Sequence, residues 1–552
     1  MADSSHPAPA SKLRRPLWVY ALAWSGFAAL LVAVAALTVF AIYFRRAEPI
    51  LRDRVIETLA TRYDSRVELA GFEVSAIHGF EITGIGLRLY PNALDMQQPL
   101  ISVDKFSFRI GWRDLFHTPM HIGVVHVSGL AINLPPKEQR QNIPRLNPHS
   151  SPSGKIQILV DQLIINHASL VLGTSKPGKV PLDFEIANLY MSSVGAGQPM
   201  RFHAILVNPK PVGNIDSSGS FGPFDAHSPG DTPVSGTYSF SHADLSTIKG
   251  IGGILSSTGQ YRGTLNNITV DGETDTPDFR LTIADHPVPL HTKFHAIVDG
   301  TNGDTHLLPV DAMLLNSHIV ARGDVITVPN QGHDITLDVT VDPARIEDLL
   351  ALGVKTQPPI MTGALVLHTK LELPPGDGSV TDRINMQGNF NITGAHFSNP
   401  GVQAKVDELS LRSQGEADQA NQNAQLGISS NIASNMQGDF TLGDSRITIT
   451  GLKYTVPGAL IAMNGVYSLD GQVFDFHGTA RLHAKVSQMV TGWKSLLLKP
   501  IDPLFSKDGA GTEVPVSITG TRSNPQFGLD FGHQHKSGAD KIQRPDDGNR
   551  IP

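Results

Sequence analysis

From Val67 onward the chain alternates apolar and polar positions with little interruption. "VELAGFEV" (67–74), "GIGLRLY" (84–90), "FSFRIGW" (106–112), "MHIGVVHVSGLAINL" (120–134) and "SLVLG" (169–173) each repeat with a period of two and break at Gly, Pro or Asn. That period puts successive side chains on opposite faces of an extended strand, and a single apolar face marks half-buried antiparallel sheet. Helical spacing is rarer. "EPILRDRVIETLATRY" (48–63) sets Ile50, Leu51, Val55, Leu59 and Tyr63 on one side and its charges elsewhere, an amphipathic helix that either lies on a membrane surface or plugs the end of the first sheet. Three later stretches read as short helices: 242–257, 342–353 with Asp342 as N-cap and Pro343 in the first turn, and 483–498 with an apolar stripe through Val486, Met489, Val490, Trp493, Leu496 and Leu497.

Three segments fall outside this rhythm. Residues 17–44 pass without a charge, and a helix of that length, about 42 Å, exceeds the ~30 Å hydrocarbon core of a bilayer. They read as a retained transmembrane anchor, with 1–16 before it; Lys12, Arg14 and Arg15 on one flank nearly balance Arg45, Arg46, Arg52 and Arg54 on the other, so charge alone does not orient it. "PPKEQRQNIPRLNPHSSPSG" (135–154) is Pro-rich and aperiodic, an exposed loop that separates strands 45–134 from a body of similar style over 155–532. The tail 533–552 is polar and reads as disordered.

One frame occurs twice. "GTLNNITVDGETDTPDF" (263–279) and "GTEVPVSITGTRSNPQF" (511–527) share Gly-Thr at the start, then Gly, Pro and Phe at the same offsets. The repetition reads as a strand that restarts the sheet after a helix, its glycine (Gly272, Gly520) suited to a bulge or turn and its proline (Pro277, Pro525) placed where pairing ends.

Composition narrows the function classes. The 552 residues are 17% charged, with 52 glycines, 38 prolines, no cysteine and a formal net charge of −7. That excludes disulfides and thiolate chemistry, and it leaves no basic field for nucleic acid. "GTSKPGKV" (173–180) imitates a phosphate loop, but Val180 stands where the metal-binding hydroxyl belongs and a strand follows where a helix should. His291 and His295 have helical ligand spacing within an alternating stretch, which places them as solvated residues on one polar face. Asp275 and Asp278 read as turn carboxylates. No nucleophile elbow, zinc-protease motif or calcium loop is present, so the expectation is a protein without catalytic residues, metal or cofactor, and not an enzyme.

A sheet with one apolar face needs cover, and few helices are available to supply it. Either two sheets close as a dry sandwich, or the face is a trough in which lipid acyl chains complete the core. The alternating positions that would line it are Leu87, Leu89, Phe106, Phe108, Ile110, Ile122, Val124, Leu130, Ile132, Leu163, Ile165, Leu337 and Val339.

The anchor, "ILRDRVIETLATRY", "RVELAGFEVS", "GIGLRLYP", "PLISVDKFSFRIGWRDLF" and "VHVSGLAINLP" resemble the start of AsmA-like envelope proteins, and "GTEVPVSITGTRSNPQFGLDF" is similar to the segment that closes that family. The resemblance implies a mainly β protein in which an N-terminal transmembrane helix precedes an elongated, curved antiparallel sheet groove, a β-taco, with a few short helices and a chorein-like start over 45–134. It implies a single-pass inner-membrane protein with residues 1–16 cytoplasmic and its bulk periplasmic. Such a protein binds phospholipids and supports their transfer between inner and outer membranes, with a partner protein in the periplasm or outer membrane. The alternative is a scaffold or assembly factor for outer-membrane proteins that transports nothing.

Overall fold

The amphipathic pattern at 48–63 folds as α1 (Glu48–Tyr63), with Val55 and Leu59 on its buried side. A computed structural model describes residues 48–529 apart from 76–79, 93–96, 112–119, 137–138, 140–157, 176–179, 196, 225–227, 329–330, 356, 470, 490–510 and 522–523. The predicted anchor (17–44), the segment before it and the tail (533–552) lie outside the described residues. Among the described residues, no helix is long and apolar enough to cross a membrane. The chain divides into two compact units, one up to Gly388 and one from Asn389. Both are mainly β.

In the first unit α1 is followed by β1 (Ser65–Ser75), β2 (Phe80–Pro91), β3 (Ile101–Ile110), β4 (Met120–Leu134), β5 (Ile158–Leu172), β6 (Leu182–Gly195), β7 (Met200–Pro209), β8 (Val212–Phe221) and β9 (Pro233–Asp244). After the short β10 (Ile251–Gly252) come β11 (Ile254–Thr264), β12 (Asn267–Leu281), β13 (Val288–Val298), β14 (Thr305–Leu314), β15 (Ser317–Val328), β16 (Gly332–Arg345), α2 (Ile346–Gly353), β17 (Met361–Leu373) and α3 (Val380–Arg383). Each of the long strands pairs with its sequence neighbour, β9 with β11, while the short β10 pairs with β12, and all of these ladders but one are antiparallel. The exception is β4 beside β5, which is parallel.

That parallel pair corrects the expectation of a wholly antiparallel sheet, and it explains the long segment between the two strands. Parallel neighbours require the chain to return along the strand before it pairs again. At ~3.3 Å per residue the 15-residue β4 is about 50 Å long, and residues 135–157 reach up to about 80 Å. The Pro-rich stretch has the length of a crossover within one sheet.

The later part of this unit turns back on itself. Lys249 lies beyond the C-terminal end of β9 and Val380 beyond that of β17, at opposite ends of the sheet by register, yet the Val380 N–H donates to the Lys249 carbonyl at 3.0 Å, and Lys249 Nζ donates to the Asp377 carbonyl at 3.1 Å. Twist alone, roughly 140–175° over the seven pairings from β9 to β17, would leave these strands about 34 Å apart at ~4.8 Å per step, so the sheet of this unit must curl as well as twist.

One of the helix expectations fails here, and a second holds over a shorter span. Residues 242–257 continue β9 to Asp244, make one 3₁₀ turn over Leu245–Thr247 held by Asp244 accepting from the Ser246 N–H, and return as strands. Two of their three glycines, Gly250 and Gly253, adopt positive φ, a conformation that ends a helix. The helix expected from Asp342 begins at Ile346, because β16 keeps its pairing through Ala344 and Arg345. Of the helix expected over 483–498, Val486–Gln488 form a 3₁₀ turn, and 490–498, with Val490, Trp493, Leu496 and Leu497, lie outside the described residues.

The second unit takes over within β18 (Asn385–Phe397) and continues with α4 (Pro400–Ser413), α5 (Ala417–Leu426), β19 (Ser434–Gly443), β20 (Arg446–Val456), β21 (Ala459–Ser468), β22 (Phe474–Leu482), β23 (Thr512–Thr521) and β24 (Asn524–Leu529). β19 to β24 pair in sequence order, all antiparallel. The α4–α5 hairpin is absent from the alternation reading, although its capping residues are visible: Asn399 accepts from the N–H groups of Gly401 and Val402, Pro400 opens the helix, and Gly427 closes α5 at φ 63°. Val406 of α4 packs on Val456, Ala459, Ala480 and Leu482, covering one face of β20–β22.

The twice-occurring Gly-Thr frame is a repeat of sequence only. Gly263-Thr264 ends β11, and Gly272 sits in mid-strand with regular partners, Gly259 and Phe294. Pro277 marks a bulge, between Thr276 and Phe279. In the second copy Thr512 begins β23, Gly520 precedes its hairpin turn at φ 105°, and Pro525 pairs with Gly520 in the next strand.

Candidate functional site

The apolar face of the first unit is continuous by register. One row of directly opposed residues runs Ile82, Phe108, Val125, Leu163, Met191, Phe202, Gly219, Gly236, Tyr261, Val270, Ala296, Leu307, Gly323, Leu337 and Leu371 across β2 to β17. Its two ends differ in cover. Leu87, Leu89, Phe106, Phe108, Ile110, Ile122, Leu130, Ile132, Leu163 and Ile165 are between 0% and 6% exposed and belong to one packed core with Val55 and Leu59 of α1. These positions were expected to line a trough; the structure places them in a core.

Val124 is a further correction. Ile122 and Val125 are both buried, so the alternation slips by one residue between them, and Val124, opposite Gln162, turns away from the core. A second slip follows at Gly129, whose φ of 66° suits glycine and where a Cβ would strike the Asp104 carboxylate. Val125 and Val127 are therefore core residues that strict alternation misses. The only signal for the slips is the pair of glycines, Gly123 and Gly129.

From β6 to β17 the same face is only half-buried along most of the row, and Leu337 and Val339 lie there as expected. Within its paired rows no Lys, Arg, Asp or Glu falls on this face. One end of the stretch is closed. α2 packs against β12, β16 and β17, where Leu245, Ala284, Val288, Leu314, Val341 and Leu365 are buried. The buried Asp348 of α2 accepts from the Ser317 hydroxyl at 2.8 Å and the Asn316 N–H at 3.1 Å, fixing the helix to the β14–β15 turn.

The opposite face carries the charge. Cross-strand histidine–aspartate pairs line it: His203–Asp216 at 2.9 Å, His295–Asp271 at 2.5 Å, His306–Asp324 at 2.6 Å and His318–Asp311 at 3.4 Å. His291, 4.0 Å from Asp275, joins the same polar face, as the alternation predicts, while Asp275 is a strand residue and Asp278 a bulge residue accepting from the Ile254 N–H, neither in a terminal turn. Among the described residues no cluster of three or more His, Asp or Glu could hold a metal ion. In the phosphate-loop imitation, Gly173 follows the end of β5 and β6 takes up the chain from Leu182, while 176–179 lie outside the described residues.

No protein-family model matches the chain, and no curated protein does. The functional reading therefore rests on the residues.

Proposed function

We propose that the protein binds lipid acyl chains along the apolar face of β6–β17 and, anchored in the inner membrane through residues 17–44 with its bulk in the periplasm, supports phospholipid transfer between inner and outer membranes. One observation carries this reading: a face that is uncharged through its paired rows and left half-buried. Hydrocarbon placed against such a face leaves water at about 0.8 kcal/mol per buried CH₂, while phosphate head groups stay at the rim. The packed face of β1–β5 is not part of the groove; it is the folded base from which the groove extends. On this reading the groove is the β-taco of the AsmA-like resemblance, and the protein is not an enzyme.

The test uses the full chain in its native membrane with a photo-crosslinking residue at single positions. Leu337 and Val339 are expected to yield phospholipid adducts by mass spectrometry, and Asp338 between them, on the charged face, none. A lack of adducts at 337 and 339, or equal yields at all three positions, would sink the groove and leave a non-transporting scaffold as the better description.

A further inference from the structure

Across β8 to β13 the uncharged face carries a belt of hydroxyls. Tyr261 of β11 lies across Gly236 of β9 and reaches Ser217 of β8, its hydroxyl 2.9 Å from Ser217 Oγ. Tyr238 of β9 lies in the opposite direction, across Gly259 of β11, with its hydroxyl 3.1 Å from Ser257 Oγ and close to Gly272 of β12. A Cβ at Gly236 would stand 2.6 Å from the Tyr261 oxygen, and one at Gly272 would stand 2.7 Å from the Tyr238 oxygen. The glycines therefore let two phenol rings lie down on the sheet. One strand further, Thr274 and Thr292 pair their hydroxyls at 2.5 Å.

The protons can be placed. Ser217 donates its one hydroxyl hydrogen to the Thr237 carbonyl at 2.9 Å, so Tyr261 must donate to Ser217. Ser257 donates to the Glu273 carbonyl at 3.0 Å, so Tyr238 must donate to Ser257. Both phenols have spent their proton on the sheet and keep oxygen lone pairs for an incoming donor. Burial raises the pKa of each above the ordinary tyrosine value, which keeps them protonated. The face offers no lysine or arginine for a phosphate and no carboxylate for an ammonium.

We propose that this belt is a binding site for a neutral lipid bearing a free hydroxyl, of the diacylglycerol class, whose hydroxyl donates to the Tyr238 or Tyr261 oxygen while its acyl chains lie on the apolar rows to either side. The inference rests on the reading of the β6–β17 face as a lipid groove, and adds to it a place where an uncharged polar end is received inside the groove.

The experiment uses the full chain in phosphatidylcholine vesicles with three probes carrying the same photoreactive acyl chain: 1,2-dioleoylglycerol, its 3-O-methyl ether and phosphatidylcholine. Diacylglycerol is expected to label β8–β12 peptides about fivefold more than the ether, the contribution of roughly one hydrogen bond. The preference should vanish in the Tyr238→Phe, Tyr261→Phe double variant, which keeps both rings, while phosphatidylcholine labelling is unchanged. Equal labelling by diacylglycerol and ether, or a preference that survives the double variant, overturns the site and leaves the groove intact. If none of the three probes labels the folded protein, the groove itself fails and the site with it.

Discussion

The strands β1–β5 and β6–β17 present one face in one register, and the face is a sealed core in the first region and half-open in the second. The local alternation is the same in both. The difference lies in what fills each row: Ile82, Phe108, Val125 and Leu163 are large and share one packed core with Val55 and Leu59 of α1, whereas Gly219, Gly236 and Gly323 hold the same rows shallow further along. A strand pattern of period two thus specifies which side is apolar, and residue volume with available cover specifies whether that side becomes a core.

The sharpest way to break the comparison is to put the same charge into each region. Phe108→Asp buries an unpaired carboxylate at a site that is 2% exposed and is expected to cost more than about 4 kcal/mol, enough to prevent stable folding. Leu337→Asp, on the half-buried face, is expected to cost under about 2 kcal/mol and leave the circular dichroism spectrum intact while, on the proposed function, lowering bound lipid. Denaturant unfolding of the two variants reads the contrast directly. Equal losses of stability would mean that the two regions are packed alike.

How much of this was legible in the sequence follows from the same distinction. α1 and β4 appear at the boundaries that periodicity assigns, and the pairing of the two faces along β16 places Leu337 and Val339 as alternation does. Periodicity could not show that Phe108 is covered and Leu337 is not, since burial depends on residues remote in sequence. It also fails wherever a single residue shifts the register, as at Val124, because a slip reverses every later side chain. The α4–α5 hairpin was hidden for another reason: its apolar residues are few, and its helicity is declared by Asn399-Pro400 and Gly427 at its ends.

That hairpin provides a second covered region, and Asp407 of α4 ties it to the segment that follows α5. The carboxylate, 4% exposed, accepts from the Ser429 hydroxyl, the N–H groups of Ser430, Asn431 and Ile432, and Gln403 Nε2. Burial pushes its pKa up, and the hydrogen bonds from Ser429, Ile432, Gln403 and Ser430 outweigh that effect and hold it below the ordinary value. The folded-state pKa is thus below the unfolded value of about 3.9, so the stabilisation is present above that pH and is lost as pH falls below about 4. Asp407→Asn, which turns an acceptor into a donor facing N–H groups, is expected to cost about 2–4 kcal/mol at pH 7 and to flatten the acid limb of the stability profile. An unchanged acid limb would show that the loop is held by something other than this charge.

A smaller effect tests the seal itself. Arg52 of α1 donates from Nε and Nη2 to the Leu69 carbonyl of β1 at 3.0 and 2.6 Å, and β1 pairs only with β2 among the described residues. The guanidinium therefore occupies part of a sheet edge that would otherwise be open to another strand. Arg52→Ala is expected to cost about 1–2 kcal/mol and to raise aggregation on storage, read by light scattering. A destabilised variant that remains monodisperse would separate the fastening of α1 from the protection of the edge.

The charged face should be the most tolerant region of all. Asp324 and His306 are half exposed and pair at 2.6 Å across β14 and β15, a geometry that in water contributes little because solvent already stabilises both groups. Asp324→Asn is accordingly expected to change stability by less than about 0.5 kcal/mol near neutral pH, with lipid adducts at Leu337 undiminished. A loss of more than about 2 kcal/mol would mean that the histidine–aspartate pairs hold the strands together where the apolar face cannot, and the half-open region would then owe its fold to the side that faces away from the apolar rows.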